Sequence, residues 1–184
     1  MKAVFILGSR NPQGQTARAA EAMLGGVREA GGQAEAVFLP AMTIERCRQC
    51  DDDGWGICRT EGRCVIEDDF APLVEKIIAA DAAVFATPVY FSDLSESMRA
   101  FLERLTRRSK HEASKATIAG KAAVGICVAG GGGGGAPACA VNLERLLRFC
   151  GFEVVDMIPA RRQNLAMKLA ILEHTGRWLA QGGG

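Results

Sequence analysis

Residues 2–16 read KAVFILGSRNPQGQT, and the fold turns on how that stretch divides. Lys2–Leu7 is a β-branched and aromatic run that ends at Gly8 and a polar turn, which predicts a buried strand entering a loop. From Gln15 the apolar period changes: Ala20, Met23, Leu24 and Val27 fall on one helical face, and Gly31 and Gly32 end the helix. The same strand–loop–helix unit returns along the chain. Ala34–Leu39 predicts a second strand, Ala82–Ala86 a third, Ala122–Val128 a fourth and Phe152–Ile158 a fifth. Between them, Phe70, Leu73, Val74, Ile77 and Ile78 share a helical face, as do Leu94, Met98, Phe101, Leu102 and Leu105. Cys139, Leu143, Leu146, Leu147 and Cys150 form another such face, and Leu165–Leu179 predicts the last helix. Asp68 and Asp69 are read as opening the helix that follows them, since acids suit the positive end of its dipole.

Five strands therefore alternate with five helices, and the strand runs are apolar almost throughout. Such runs belong to a parallel sheet covered on both faces, an α/β doubly wound domain. Right-handed crossovers and five strands predict the order 2-1-3-4-5. A single domain spans 1–184, with a Cys-rich insertion at about 41–67 and a polar linker at 109–120. In such sheets ligands bind beyond the carboxyl ends of the strands, where the order reverses. The loops after strands one, three and four are the candidates.

Composition narrows the function classes. A length of 184 residues, 48% hydrophobic and 23% charged, excludes a disordered chain, a collagen-like fibre and a coiled coil. Lys plus Arg is 22 and Asp plus Glu is 21, so neither nucleic acid nor an anionic membrane is an expected partner. The opening residues are not read as a targeting segment, and a cytoplasmic location is the expectation. Seven Cys in a reducing compartment suggest metal, cluster or incidental thiols rather than a disulfide framework.

The first loop, residues 8–16, delivers the chain to a helix N-terminus, where unpaired N–H groups attract an anion. Ser9 and Thr16 add hydroxyls, Arg10 adds a cation, and Gly14 permits close backbone approach. Gln15 stands where a nucleotide triphosphatase loop needs Lys, and the dinucleotide glycine fingerprint is absent. No thiol is present for a cysteine-based phosphatase. A terminal phosphomonoester fits, with an ordinary polar turn as the alternative. The second loop, residues 87–92, reads TPVYFS and offers an apolar wall to a flat ligand, or else caps the core. The third is the run Gly130–Gly135, either a tether or a close backbone approach to a ring edge.

G-S-R-x-x-x-G-x-T after strand one, T-P-V-Y-F after strand three and the glycine run together resemble the NADPH-dependent FMN reductase branch of the flavodoxin-like superfamily. The similarity runs from Met1 to about Phe152. The segment CRQC…CRTEGRCVIEDDF is similar more specifically to the iron–sulfur flavoproteins of that branch. The resemblance implies FMN with its phosphate on Ser9, Arg10, Asn11, Gly14, Gln15 and Thr16. Its ring would lie against Pro88, Val89, Tyr90 and Phe91 and meet Gly130, Gly131 and Gly132. It further implies NAD(P)H as co-substrate, and a flavin, quinone, azo or nitro compound, or a cluster, as acceptor. A homodimer or homotetramer is implied as well. Because the flavin carries the chemistry, no catalytic side chain is expected. A non-enzymatic electron carrier is the alternative, and a thiol-based sensor a third reading.

Cys47, Cys50, Cys58 and Cys64 are spaced C-x2-C-x7-C-x5-C and can supply four thiolates to a 4Fe–4S cluster or to zinc. Unmetallated thiols are the third possibility. The iron–sulfur flavoproteins use a compact C-x2-C-x2-C start, whereas here the acidic segment Asp51, Asp52, Asp53, Gly54 and Trp55 intervenes. Carboxylates beside an anionic cluster repel it unless they turn to water. Cys127, Cys139 and Cys150 read as small core residues, and His111 and His174 as isolated. Arg107–Arg108 and Arg161–Arg162 read as solvated pairs, either of which is a candidate for the extra phosphate of NADPH.

Overall fold

A computed structural model describes residues 1–183, so Gly184, the end of the expected 1–184 domain, lies outside the described residues. The chain runs β1 (Lys2–Leu7), α1 (Gln15–Glu29), β2 (Gln33–Phe38), α2 (Ile57–Thr60), α3 (Phe70–Ala79), β3 (Ala82–Pro88), α4 (Glu96–Arg108), α5 (Glu112–Ala116), β4 (Ala122–Ala129), α6 (Ala136–Cys150), β5 (Glu153–Arg161) and α7 (Leu165–Ala180). All strand pairs are parallel and the order is β2-β1-β3-β4-β5, as expected. Ala3 of β1 pairs with Ala34 on one side and Ala82 on the other, so β1 sits inside the sheet with five of its six residues buried. A flavodoxin-like α/β architecture results.

The alternating side chains of the strands build one core on each face. On one face Phe85 packs against Phe152, and Phe70 against Phe101, in one core beneath α3, α4 and α6. On the other, Phe5, Leu7 and Val84 are covered by Met23 and Leu24 of α1 and Leu172 of α7. The α1–α7 crossing is close because both helices lack a side chain at the contact. A Cβ on Gly26 would lie 2.0 Å from the Glu173 carbonyl oxygen, and one on Gly176 would lie 2.0 Å from that of Met23.

Three local expectations change. Helices α2 and α5 lie in segments read as a loop and a linker; at four and five residues they are too short to show a period. Strand β5 runs on to Arg161, past the expected Ile158. The α3 helix begins at Phe70, after both aspartates, and its first turn carries no acid. Asp68 instead forms an ion pair with Arg104 whose side chains are 2% and 1% exposed. The two aspartates still open the helix, Asp69 as its N-cap residue and Asp68 by accepting from Phe70 N–H at 3.1 Å, but Arg104 accounts for the burial of Asp68.

Adjacent glycines of α1 give a paired test. Gly26→Ala should destabilise the fold by about 1–3 kcal/mol by pushing α7 away. Gly25→Ala, where a Cβ meets nothing within 4 Å, should stabilise it by about 0.5–1 kcal/mol. Urea midpoints of the two variants check the opposite signs.

Candidate functional site

The carboxyl ends of β1, β3 and β4 open into one cleft of about 470 Å³. Its walls are Ser9, Gln15, Thr16, Pro88, Val89, Tyr90, Val128, Ala129 and Gly130–Gly134, with no charged side chain among them. The three loops are stitched together by backbone bonds: Gly8 N–H donates to the Ala86 carbonyl at 2.8 Å, and Val89 N–H to that of Val128 at 3.0 Å. Gly8 cannot carry a side chain, because a Cβ there would lie 2.3 Å from Ser95 Oγ.

In the first loop, Asn11 does the shaping. Its carbonyl accepts from Gly14 N–H at 3.1 Å and from Ser9 Oγ at 3.2 Å, and its Oδ1 accepts from Gln13 N–H at 2.9 Å. This delivers Gly14, in extended backbone, to the start of α1 without a side-chain cap. The first-turn N–H groups of α1 therefore have neither an intrahelical acceptor nor a cap. Ser9 and Thr16 are buried beside them. Gln15 Oε1 is buried and has no hydrogen-bond partner among the described residues. Such an orphan costs about 1–3 kcal/mol, and an amide can present either its oxygen or its NH₂ by flipping. The donor set suits a phosphate.

Not every expected residue reaches the cleft. Arg10 turns outward, its Nη2 3.5 Å from Glu96 Oε2, in a pair 83% and 89% exposed. Asn11 and Gly14 act on the loop's shape rather than on the cleft wall. Pro88, Val89 and Tyr90 line it, but Phe91 stands fully exposed at the tip of a two-residue hairpin. Tyr90 and Asp93 exchange N–H to carbonyl bonds at 3.0 Å around Phe91 (φ 51°) and Ser92 (φ 65°). Two left-handed residues in a hairpin normally require Gly or Asn, so no sequence signal marked this turn. Asp93 anchors its base: burial opposes ionisation, but the Arg99 guanidinium and the Leu94 N–H hold its carboxyl below the usual range. In the third loop, Gly130, Gly131 and Gly132 line the cleft with Gly133 and Gly134, which were not singled out. Sterically the glycine at 135 is required, since a Cβ there would lie 2.5 Å from Ser92 Oγ at a φ of 81°.

Cys47, Cys50, Cys58 and Cys64 all line a second, much tighter pocket, together with Ile57, Val65, Ile66, Arg104 and Arg107. It shares no wall residue with the cleft. Asp51, Asp52 and Asp53 are exposed, so the acidic segment turns to water as a cluster would require. Desolvation, then the neighbouring thiols of Cys47, Cys64 and Cys58, push the Cys50 thiol upward. The four thiols are thus electrostatic neighbours. Among the described residues no three His, Cys, Asp or Glu side chains converge closely enough for a single metal ion. Zinc needs four sulfurs at about 2.3 Å from one point, and thiols spread around a cavity do not provide that. Cys127, Cys139 and Cys150 are core residues, and burial pushes Cys150 up to about 12.

The segment is tied to α4. Arg104 donates to both carboxylate oxygens of Asp68, at 2.6 and 3.0 Å, and to the Glu45 carbonyl at 3.1 Å. Arg107 donates to the Gly54 carbonyl at 2.7 Å and lies over the Trp55 ring. Neither arginine was singled out for this segment from the sequence. No helix among the described residues is long and apolar enough to cross a membrane.

The family model for NADPH-dependent FMN reductase matches residues 1–166. An iron–sulfur flavoprotein of Archaeoglobus fulgidus is 32% identical over 105 residues, 57% of this chain and 46% of that protein. Another, of Methanosarcina thermophila, is 30% identical over 126 residues, 68% of this chain and 63% of its own. The chain spans roughly half the length of the curated relatives it matches. Among solved structures, a flavone reductase superposes with a TM-score of 0.74 at 19% identity, covering 98% of this chain and 62% of that one. An NAD(P)H:quinone oxidoreductase from Methanothermobacter marburgensis gives 0.71 at 21% identity, covering 97% and 96%. At those identities the structures speak to the fold.

Asp68 supplies the stability test. Burial alone would raise its pKa, but the Arg104 hydrogen bonds, two backbone N–H groups and the guanidinium charge hold it below the ordinary carboxylate value. A lowered folded pKa contributes stability in full above about pH 4 and loses it as pH falls through the lowered value. Asp68→Ala should cost about 3–5 kcal/mol at pH 7, because it strands a buried guanidinium. The gap in urea stability between wild type and Asp68→Asn should narrow below about pH 4.

Proposed function

The chain belongs to the NADPH-dependent FMN reductase family, and on that premise we propose that it is an FMN-dependent oxidoreductase passing electrons from NAD(P)H to a small acceptor such as a flavin, quinone, azo or nitro compound. The observation that carries this reading is the partnerless Gln15 amide beside the uncapped start of α1. Ser9 Oγ, Thr16 Oγ1, the Gln15 amide and the first-turn N–H groups of α1 would hold the phosphate. Pro88, Val89 and Tyr90 would form the wall for the ring, and the backbone N–H groups of Gly130–Gly132 would favour negative charge at its edge.

Bound FMN supplies hydride acceptance and electron release, which is why the walls need no acid, base or nucleophile. The chain's own part is to grip the phosphate, orient the ring and leave one side open to a nicotinamide. Arg161, at the end of β5, runs beside Gly133, where an added Cβ would meet its Cβ at 3.1 Å. Of the two pairs, it is the arginine whose nearness to the cleft glycines supports a contact with the extra phosphate of NADPH. The exposed Phe91 at the hairpin tip supports assembly as a homodimer or homotetramer, with the tip covered by a neighbouring copy.

The four-cysteine pocket supports a 4Fe–4S cluster as a second redox group. Four sulfur donors surround one cavity, two arginines offset its negative charge, and the nearby acids face water. The iron–sulfur flavoproteins that the chain resembles carry that chemistry in their name.

Anaerobically purified protein should show flavin absorption bands, contain iron and oxidise NADPH without a partner protein. A flavin-loaded sample that leaves NADPH untouched would contradict the enzyme reading in favour of a carrier. Thr16→Val should weaken FMN binding by roughly 10–100-fold, the worth of one hydrogen bond to a charged group. Arg10→Ala should change it less than about fivefold, as for an exposed ion pair. Quenching of FMN fluorescence measures both, and the reverse ranking would contradict the assignment of the phosphate site.

A further inference from the structure

Arg104 carries the other buried polar atom without a partner among the described residues: its Nε–H. A guanidinium has five N–H donors in one rigid plane. Four of them are placed. Nη1 donates to Asp68 Oδ2 at 2.6 Å and the Glu45 carbonyl at 3.1 Å; Nη2 donates to Asp68 Oδ1 at 3.0 Å and the Ile66 carbonyl at 3.4 Å. The plane is also held over the Phe70 ring, 4.2 Å from its centroid. The group therefore has no freedom to turn its last N–H elsewhere.

That side chain is 1% exposed, so bulk water does not satisfy the donor. Leaving a buried donor open costs about 1–3 kcal/mol, and fewer than one buried polar group in ten is left so. Arg104 also lines the pocket of the four cysteines, and the Cys64 side chain lies within hydrogen-bonding and electrostatic reach of its guanidinium. The sequence places Cys64 two residues before Ile66, whose carbonyl Nη2 already holds. One residue therefore grips the strand of chain that carries the fourth cysteine, lines the cysteine pocket and has one donor left open.

We infer that Arg104 is a positioning residue for the four-cysteine site, its Nε–H donating to the sulfur of Cys64 when that sulfur ligates an iron–sulfur cluster. The inference rests on the cluster reading above and goes beyond it. Hydrogen bonds to ligating sulfurs and nearby positive charge stabilise the reduced, more negative form of a cluster, so they raise its reduction potential. A residue that only braced the loop would leave the potential alone.

Two variants keep the local net charge and remove the Nε–H. Arg104→Lys retains a cation for Asp68. The double variant Arg104→Met with Asp68→Leu replaces the buried ion pair by apolar side chains, a change that proteins commonly tolerate. Iron analysis and a redox titration followed by electron paramagnetic resonance are run on both beside wild type. The expected result is a wild-type iron content with the midpoint potential shifted to more negative values in either variant that folds. Iron-loaded variants with the wild-type potential would overturn the inference and leave the cluster reading standing. Wild-type protein that binds no iron under anaerobic reconstitution would overturn both, so the two failures are distinguishable.

Discussion

The position of β1 between β2 and β3 governs everything at the ligand end of this molecule. The chain leaves β1 over one face, through α1, to reach β2, and must then cross to the other side of β1 to form β3. Helix α1 thus packs with α7 on one face, while α3, α4 and α6 cover the other. Loops that depart in opposite directions cannot fill the space between them, and a crevice remains at that point. The bond from Gly8 to Ala86 closes its floor, and the absence of a side chain at Gly8 allows Ser95 to approach it.

Folded proteins leave few buried polar groups unsatisfied. Here the two on the described side chains, Gln15 Oε1 and Arg104 Nε, each lie on the wall of a pocket. A neutral amide faces a cleft without charged side chains, and a cation faces a cavity ringed by thiols. The two environments differ in what they can hold: one suits a phosphate tail with a flat apolar ring, the other an anionic sulfur-ligated group. They share no wall residue, so each can be altered without touching the other.

Much of this was legible in the residues. Apolar runs separate cleanly from helical periods when strands are buried on both faces, which is why the order and the three loops follow from pattern alone. What escaped was set by tertiary contacts. Asp68 reads as a helix-opening acid and does accept from the first N–H of α3, but its pairing with Arg104, far along the chain, has no local signal. Arg10 sits in a phosphate-like motif but turns to Glu96. Phe91 follows a cleft residue in sequence, yet a left-handed hairpin that no glycine announced carries it away from the cleft. In the glycine run the strict requirement falls on its last residue, Gly135 against Ser92, and not on the Gly130–Gly132 stretch that the resemblance set against the ring.

The central claim is that the start of α1 grips a phosphate. Comparing the dissociation constants of FMN and riboflavin on the purified, flavin-free protein tests it directly, since the two ligands share the ring and differ in that group. At about 1.5–3 kcal/mol for each bond to a charged oxygen, the account predicts FMN tighter by at least about 100-fold. Equal affinities would contradict it.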